Sequence, residues 1–96
     1  MYEISYSKSA ERYFKKLKDK QLLCMFKSAI DKLKENPYIG YPKSGDLRGN
    51  YGYDVKYSNV NYELAYRIYE DGNRLVVVIL AGTRENFYEE LKRLIN

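Results

Sequence analysis

Strict alternation of apolar and polar residues in the second half of the chain limits the possible folds most. Aromatic and aliphatic residues occupy every second position of residues 51–57 and again of residues 62–68. A period of two is typical of β-strands that bury one face. Asp71 and Gly72 form a frequent hairpin turn, and the apolar residues 75–81 that follow indicate a central strand. The pattern therefore predicts three strands linked by hairpins.

The first half of the chain predicts one strand and two helices. Residues 2–6 alternate as a short strand, and Ser7 or Ser9 can cap the helix that follows. The helical periodicity breaks at residues 19–20 and then resumes, which separates a second helix from the first. Asn36–Pro37 ends this second helix, because a residue before proline avoids the α region. Two helices with so short a link form an αα-hairpin.

A loop and a last helix complete the predicted fold. Residues 37–50 are rich in glycine and proline, and Thr83 can cap a helix with an apolar face that begins at Phe87. The predicted order is β-α-α-β-β-β-α, an α+β fold in which an antiparallel meander packs on the αα-hairpin. Residues 1–96 are too few for two independent cores, so we expect a single domain.

Composition excludes several classes of function. The chain has no histidine, which excludes His-based triads and His-ligated metal sites, and its one cysteine, Cys24, excludes an internal disulfide. No apolar run approaches the roughly 20 residues of a membrane helix, and no signal peptide is visible. We therefore expect a cytoplasmic protein without membrane association.

The charge distribution suggests a partner. Lys and Arg outnumber Asp and Glu by 17 to 13, and the whole excess lies in residues 1–50. A basic half of this kind indicates a polyanion or an acidic protein as partner, although a solvated helix face would carry the same charges.

Charged residues alternate on the outward face of the predicted meander. If the tyrosines face the helices, then Asp54, Lys56, Glu63 and Arg67 face the other way. A loop over residues 58–61 would set Lys56 opposite Glu63 and Asp54 diagonal to Arg67. These residues form either exposed salt bridges, each contributing less than about 1 kcal/mol, or a functional site.

Arg84 is a second candidate. With Thr83 as the cap, Arg84 lies in the first turn of the last helix, where the helix dipole disfavours a cation. Glu85 can compensate this charge, or a bound phosphate can, since the helix start offers free N–H groups. Tyr88 follows four residues later and would share the face of Arg84.

Several short segments, taken with the order of elements, resemble the RelE/ParE superfamily of bacterial type II toxins over essentially the whole chain. They are Leu47–Arg48–Gly49, Tyr53–Asp54–Val55–Lys56, residues 61–68, and Ala81–Gly82–Thr83–Arg84 with Tyr88. The resemblance implies a ribosome-dependent mRNA endonuclease without metal or cofactor. In such an enzyme the ribose 2′-hydroxyl attacks the adjacent phosphate.

The resemblance also implies a set of site residues. Carried over by position, these are catalytic Lys56, Arg84 and Tyr88, and RNA-binding Arg48. From the outward face of the meander we add Glu63 as a catalytic residue and Arg67 as an RNA-binding residue. Lys56 and Arg84 would stabilise charge on the phosphate, and Tyr88 would exchange a proton or stack on a base. RelE-like enzymes have a lysine where this chain has Asp54 and an arginine where it has Glu63. Glu63 would then act as the general base toward the 2′-hydroxyl.

Partners and alternative functions follow from the same resemblance. It implies a cognate antitoxin with an acidic segment that folds on the toxin, and the ribosome with its mRNA as target. One alternative is a ParE-like poison of DNA gyrase that cuts no RNA. Another is a degenerate module that only binds its antitoxin.

Overall fold

Five strands and three helices follow one another in the computed structural model, which describes residues 1–95. In chain order they are β1 (Glu3–Tyr6), α1 (Lys8–Lys16), α2 (Lys20–Glu35), β2 (Tyr41–Pro42), β3 (Tyr51–Tyr57), β4 (Val60–Tyr69), β5 (Leu75–Thr83) and α3 (Phe87–Ile95). The predicted α+β fold is confirmed, with β2 as an additional strand. No helix within the described residues is long and apolar enough to cross a membrane.

The strands form one sheet in the order β1-β5-β4-β3-β2. β1 pairs with β5 in parallel, and the other neighbours are antiparallel. β5 therefore has a neighbour on each side, as its continuous apolar sequence indicates. β2 lies at the edge, which tolerates Pro42 because an edge strand can lack one N–H donor. Residues 37–50 thus contain a short strand and two turns of 3₁₀ helix, where a loop was expected.

Side-chain caps determine where the first two helices begin. The Ser7 hydroxyl accepts a hydrogen bond from the Ala10 N–H at 3.1 Å, and the Asp19 carboxylate accepts the N–H groups of Gln21 and Leu22. Both helices pack on one face of the sheet. The core between them and the sheet includes Leu22, Phe26, Ile30, Leu33, Val55, Leu64, Tyr66, Val76, Val78 and Ala81.

A bulge in β5 creates a second, smaller core on the opposite face. Ala65 pairs with Leu80 and Tyr66 pairs with Val78, so Ile79 is an extra residue in β5. The extra residue turns Leu80 to the face opposite Val78. There α3 covers it, in a cluster of Leu47, Ala65, Leu80, Phe87 and Leu91. The outward face of the sheet is therefore covered in part by α3, and the charged residues occupy positions of the same face that α3 leaves exposed to other contacts.

The pairing of β3 with β4 differs from the sequence-based expectation. Ser58 and Asn59 have φ of +49° and +63°, which makes a two-residue turn where a four-residue loop was predicted. Asp54 therefore lies opposite Glu63, and Lys56 lies opposite Asn61. The predicted pairing of Lys56 with Glu63, and the diagonal of Asp54 with Arg67, are wrong. Because the shift is two residues, each side chain still faces the predicted side.

The start of the last helix also differs from the prediction. Thr83 is the last residue of β5 and caps no helix, since α3 begins at Phe87. Asn86 has φ of +60°, a left-handed conformation that interrupts any helix before that point. Arg84 thus lies in the loop before α3 and does not share a helix face with Tyr88.

Candidate functional site

The loop after β5 holds Arg84 at the end of the sheet. Its backbone N–H donates to the Asn61 carbonyl at 2.9 Å, which extends the pairing of β4 with β5 by one residue. Its own carbonyl accepts the Phe87 N–H at 3.2 Å, closing the turn into α3. With its backbone fixed on both sides, Arg84 directs its side chain over the outward face, where it meets Asp54 and Glu63.

Arg84 bridges carboxylates from two neighbouring strands. Its Nη1 lies 3.4 Å from Oδ2 of Asp54, and its Nε lies 3.6 Å from Oε1 of Glu63. Like charges directly opposite one another across two strands destabilise a sheet. A guanidinium between the two carboxylates offsets that repulsion.

Glu63 is buried, with only 2% of its surface exposed. The Nζ atom of Lys43 lies 2.7 Å from its Oε2, in an ion pair whose angles fall outside those of a hydrogen bond. Gly52 provides the space for this carboxylate, because a Cβ at Gly52 would lie 2.5 Å from Oε2. A buried carboxylate requires a cation nearby, and Lys43 is the cation in closest contact.

Tyr41 completes the group from the edge strand. Its hydroxyl donates to Oδ1 of Asp54 at 3.0 Å, and its ring lies 5.1 Å from Nζ of Lys43. Burial, with the nearby carboxylates of Glu63 and Asp54, raises the pKa of Tyr41 well above its usual range. We call Tyr41, Lys43, Asp54, Glu63 and Arg84 the charged cluster.

Two of the four predicted catalytic residues come together in this cluster, namely Glu63 and Arg84. Lys56 is exposed on the same face of β3, opposite Asn61. Tyr88 is exposed on α3 with Nζ of Lys92 5.5 Å from its ring centre. Within residues 1–95, neither Lys56 nor Tyr88 forms an ion pair or side-chain hydrogen bond with Glu63 or Arg84. Their catalytic roles stay predictions.

The two predicted RNA-binding residues lie together near the loop before β3. The guanidinium of Arg67 packs against Gly49, where a Cβ would come within 3.2 Å of it. Arg48 is exposed one residue earlier in the same loop. Their contact with RNA stays a prediction.

Tyr41 and Lys43 are not among the residues predicted from the sequence, because the glycine and proline content of residues 37–50 predicts a loop. A signal for both residues is nevertheless present. They flank Pro42 at a spacing of two, which on an edge strand directs both side chains to one face.

The charged cluster has two cations and two carboxylates, so its formal charge is zero. Its members differ in solvent exposure: the side chains of Arg84 and Asp54 are 52% and 50% exposed, against 3% for Glu63. An exposed guanidinium held at 3.4 Å can exchange its carboxylate for another anion, such as a phosphate.

Within the described part of the chain, no group of three or more His, Cys, Asp or Glu is placed to hold a metal ion.

Several solved structures of bacterial toxins are similar to this chain in fold. A chain of the toxin–antitoxin complex RelBE2 from Mycobacterium tuberculosis is 26% identical, with a TM-score of 0.66, covering 86% of this chain and 98% of that one. A free-state mutant of the E. coli toxin RelE is 24% identical, with a TM-score of 0.71 and 97% of each chain covered. A chain of the intact E. coli RelBE complex is 21% identical, with a TM-score of 0.65, covering 85% and 95%. The two E. coli structures show the fold alone.

Among curated proteins, none matches the chain significantly. A family model described as "ParE-like toxin of type II bacterial toxin-antitoxin system" matches residues 4–92. The match spans nearly the whole sheet, α1, α2 and the first part of α3. The chain therefore belongs to the family of ParE-like toxins of type II bacterial toxin–antitoxin systems.

Proposed function

We propose that this toxin inhibits translation by cutting mRNA on the ribosome, and that Arg84 binds the phosphate that is cleaved. One observation carries the proposal: a half-exposed guanidinium lies between two carboxylates, 3.4 and 3.6 Å away. A phosphodiester cleavage without metal needs a cation for the phosphate and a proton acceptor beside it. Arg84 and Glu63 supply this pair, and ribosomes as target imply a cytoplasmic location.

The first step exchanges the partner of Arg84. The Asp54–Arg84 pair is half exposed, and such pairs contribute less than about 1 kcal/mol. A phosphate offers Arg84 two parallel charge-assisted hydrogen bonds, which are stronger than this contact. Lys56 supplies a second cation from the same face of β3, and Arg48 and Arg67 contact the RNA backbone together, near the loop before β3.

The second step moves two protons. When Arg84 turns to the phosphate, it uncovers Oε1 of Glu63, while Lys43 still holds Oε2. Glu63 then accepts the proton of the 2′-hydroxyl as its oxygen bonds to phosphorus. The bond from phosphorus to the 5′ oxygen breaks, and Tyr88 gives that oxygen a proton. The products are a 2′,3′-cyclic phosphate and a 5′-hydroxyl end.

A cognate antitoxin is the second partner in this proposal. RelBE2 from M. tuberculosis and RelBE from E. coli are both described as toxin–antitoxin complexes. The basic excess of residues 1–50 favours an acidic segment as the bound part of the antitoxin.

The proposal is tested with purified ribosomes that translate a defined mRNA. The wild-type chain should create new 5′ ends inside translated codons, and none when ribosomes are left out. Arg84→Ala should abolish these ends, because the phosphate loses its main cation. Arg93→Ala removes an exposed arginine of α3 and should cut as the wild type does. Equal cutting by wild type and Arg84→Ala would contradict the proposal.

One observation favours a second function, a ParE-like poison of DNA gyrase. The acids of the charged cluster already neutralise both of its cations, which disfavours binding of a polyanion and suits a protein target. In that case the chain should inhibit supercoiling by purified gyrase and leave ribosome-bound mRNA intact. Arg84→Ala would then leave the inhibition unchanged.

A further inference from the structure

We infer that Lys43 is a positioning residue, which keeps Arg84 available for a phosphate by neutralising Glu63. Its effect on RNA cleavage rests on the proposed function, whereas its effect on Arg84 itself does not. Glu63 is deeply buried. Its side chain is 3% exposed, and a carboxylate with so little water requires a cation beside it.

Two cations are within reach of Glu63, and they are held differently. Lys43 lies 2.7 Å from Oε2 and is 16% exposed, whereas Arg84 lies 3.6 Å from Oε1 and is 52% exposed. Lys43 also lies over the ring of Tyr41, at 5.1 Å from its centre, where a cation is attracted to the π-system. Lys43 is thus the fixed partner of Glu63, and Arg84 is the loose one.

The long contact between Arg84 and Glu63 depends on the short contact between Lys43 and Glu63. Without the ammonium, Glu63 would be a buried carboxylate with Arg84 as its remaining cation. Coulomb attraction in this poorly hydrated place would then draw the guanidinium onto Glu63 and away from Asp54. In the wild type a phosphate competes for Arg84 with the half-exposed carboxylate of Asp54. Without Lys43 it would have to compete with the buried carboxylate of Glu63.

The test measures the availability of Arg84 directly. The NMR signal of its Nε–Hε group, identified by its absence in Arg84→Ala, is followed while inorganic phosphate is added. Lys43→Met removes the charge and keeps much of the side-chain length, and Lys43→Arg keeps the charge. Lys27→Met changes an exposed lysine of α2 and serves as the matched control. A double variant, Lys43→Met with Glu63→Gln, removes the buried charge together with its partner.

We expect the Arg84 signal of the wild type, Lys43→Arg and Lys27→Met to respond to phosphate alike. In Lys43→Met the signal should shift before phosphate is added, and the phosphate affinity should fall about tenfold, the effect of about 1.4 kcal/mol. The double variant should regain the affinity, which a purely structural role of Lys43 would not produce. An unchanged phosphate response in Lys43→Met, a double variant without recovery, or a wild-type signal that ignores phosphate would each overturn the inference.

Cleavage assays separate this inference from the proposed function. If the chain cuts mRNA, Lys43→Met should raise KM about tenfold, while the double variant should recover KM and keep a low kcat, since Glu63 is the proposed base. If the wild type cuts no mRNA and the Arg84 signals behave as expected, the nuclease proposal fails and the role of Lys43 stands.

Discussion

Replacement of Gly52 by alanine tests the geometry beneath the charged cluster. The added Cβ would lie 2.5 Å from Oε2 of Glu63 and 2.8 Å from two ring atoms of Tyr41. Ordinary carbon contacts lie near about 3.5–4.0 Å, so the carboxylate and the ring must both move by about 1 Å. Overpacking of this kind costs about 1–3 kcal/mol.

The lower backbone freedom of alanine in the unfolded chain offsets part of this loss of stability. Alanine in a strand interior is more stable than glycine by about 0.5–1 kcal/mol, because the unfolded chain has less freedom to lose. The net expectation for Gly52→Ala is a loss of about 1–2 kcal/mol, which in a domain of this size lowers Tm by about 5–15 °C. Gly82 in β5 is the matched control, since no atom lies within 4 Å of a Cβ there.

Thermal and urea unfolding, followed by circular dichroism, provide the measurement. Gly82→Ala should be as stable as the wild type or more stable by about 0.5–1 kcal/mol. Gly52→Ala should be less stable, and its Arg84 signal should shift because Glu63 has moved. If Gly52→Ala proved as stable as Gly82→Ala, the carboxylate would not lie against Gly52, and the described packing would be refuted.

Three further predictions concern the rest of the fold. Tyr66→Phe removes the buried hydroxyl that donates to the Pro37 carbonyl at 2.6 Å, and should cost about 1–3 kcal/mol in urea unfolding, whereas Tyr69→Phe at an exposed position should cost nothing measurable. The hydrogen bond to Glu70 raises the pKa of Tyr38 to about 12. A phenol with a raised folded pKa stabilises the fold below its unfolded pKa of about 10, so stability should fall from about pH 10 to 12 as tyrosinate absorbance rises. Asn86→Ala should cost about 1–2 kcal/mol in the same unfolding assay because of the left-handed backbone there, and Asn86→Gly should not.

The periodicity of apolar residues predicted the helices and strands, and it predicted the side of the sheet on which each side chain lies. Both properties depend on residues that are close in the sequence. The alternation of residues 51–57 and 62–68 assigned Asp54 and Glu63 to the outward face, where they lie. The capping residues Ser7 and Asp19 stand where the helical periodicity begins, and Asn36 stands where it ends. Alternation and helix capping can both be recognised from a few consecutive residues.

The pairing of β3 with β4 was not predictable in the same way. It depends on Ser58 and Asn59 both adopting left-handed backbone, which neither residue type requires. The bulge at Ile79 was not predictable for a different reason. Residues 75–81 are all apolar, so the pattern is the same whichever face of the sheet each side chain occupies. With that bulge unseen, the position of α3 on the outward face could not be derived either.

The composition of the charged cluster depends on contacts between distant segments. Lys43 lies 20 positions before Glu63 and meets it only because β2 pairs with β3 across Gly52. Considered alone, the carboxylates of Asp54 and Glu63 would repel a phosphate. With Lys43 and Arg84 beside them, the same carboxylates form a neutral group.

The charged cluster has no net charge, so it contributes little to the long-range electrostatic attraction of a polyanion to this toxin. It exerts little long-range pull on a polyanion, because its two cations and two carboxylates cancel at a distance. The excess of basic residues lies in residues 1–50, which contain α1 and α2 on the other face of the sheet. For the partners proposed above, an acidic antitoxin and RNA, long-range attraction would therefore arise mainly from that half. In the proposed mechanism the charged cluster acts only at contact, where a phosphate replaces Asp54 at Arg84 while Lys43 retains Glu63.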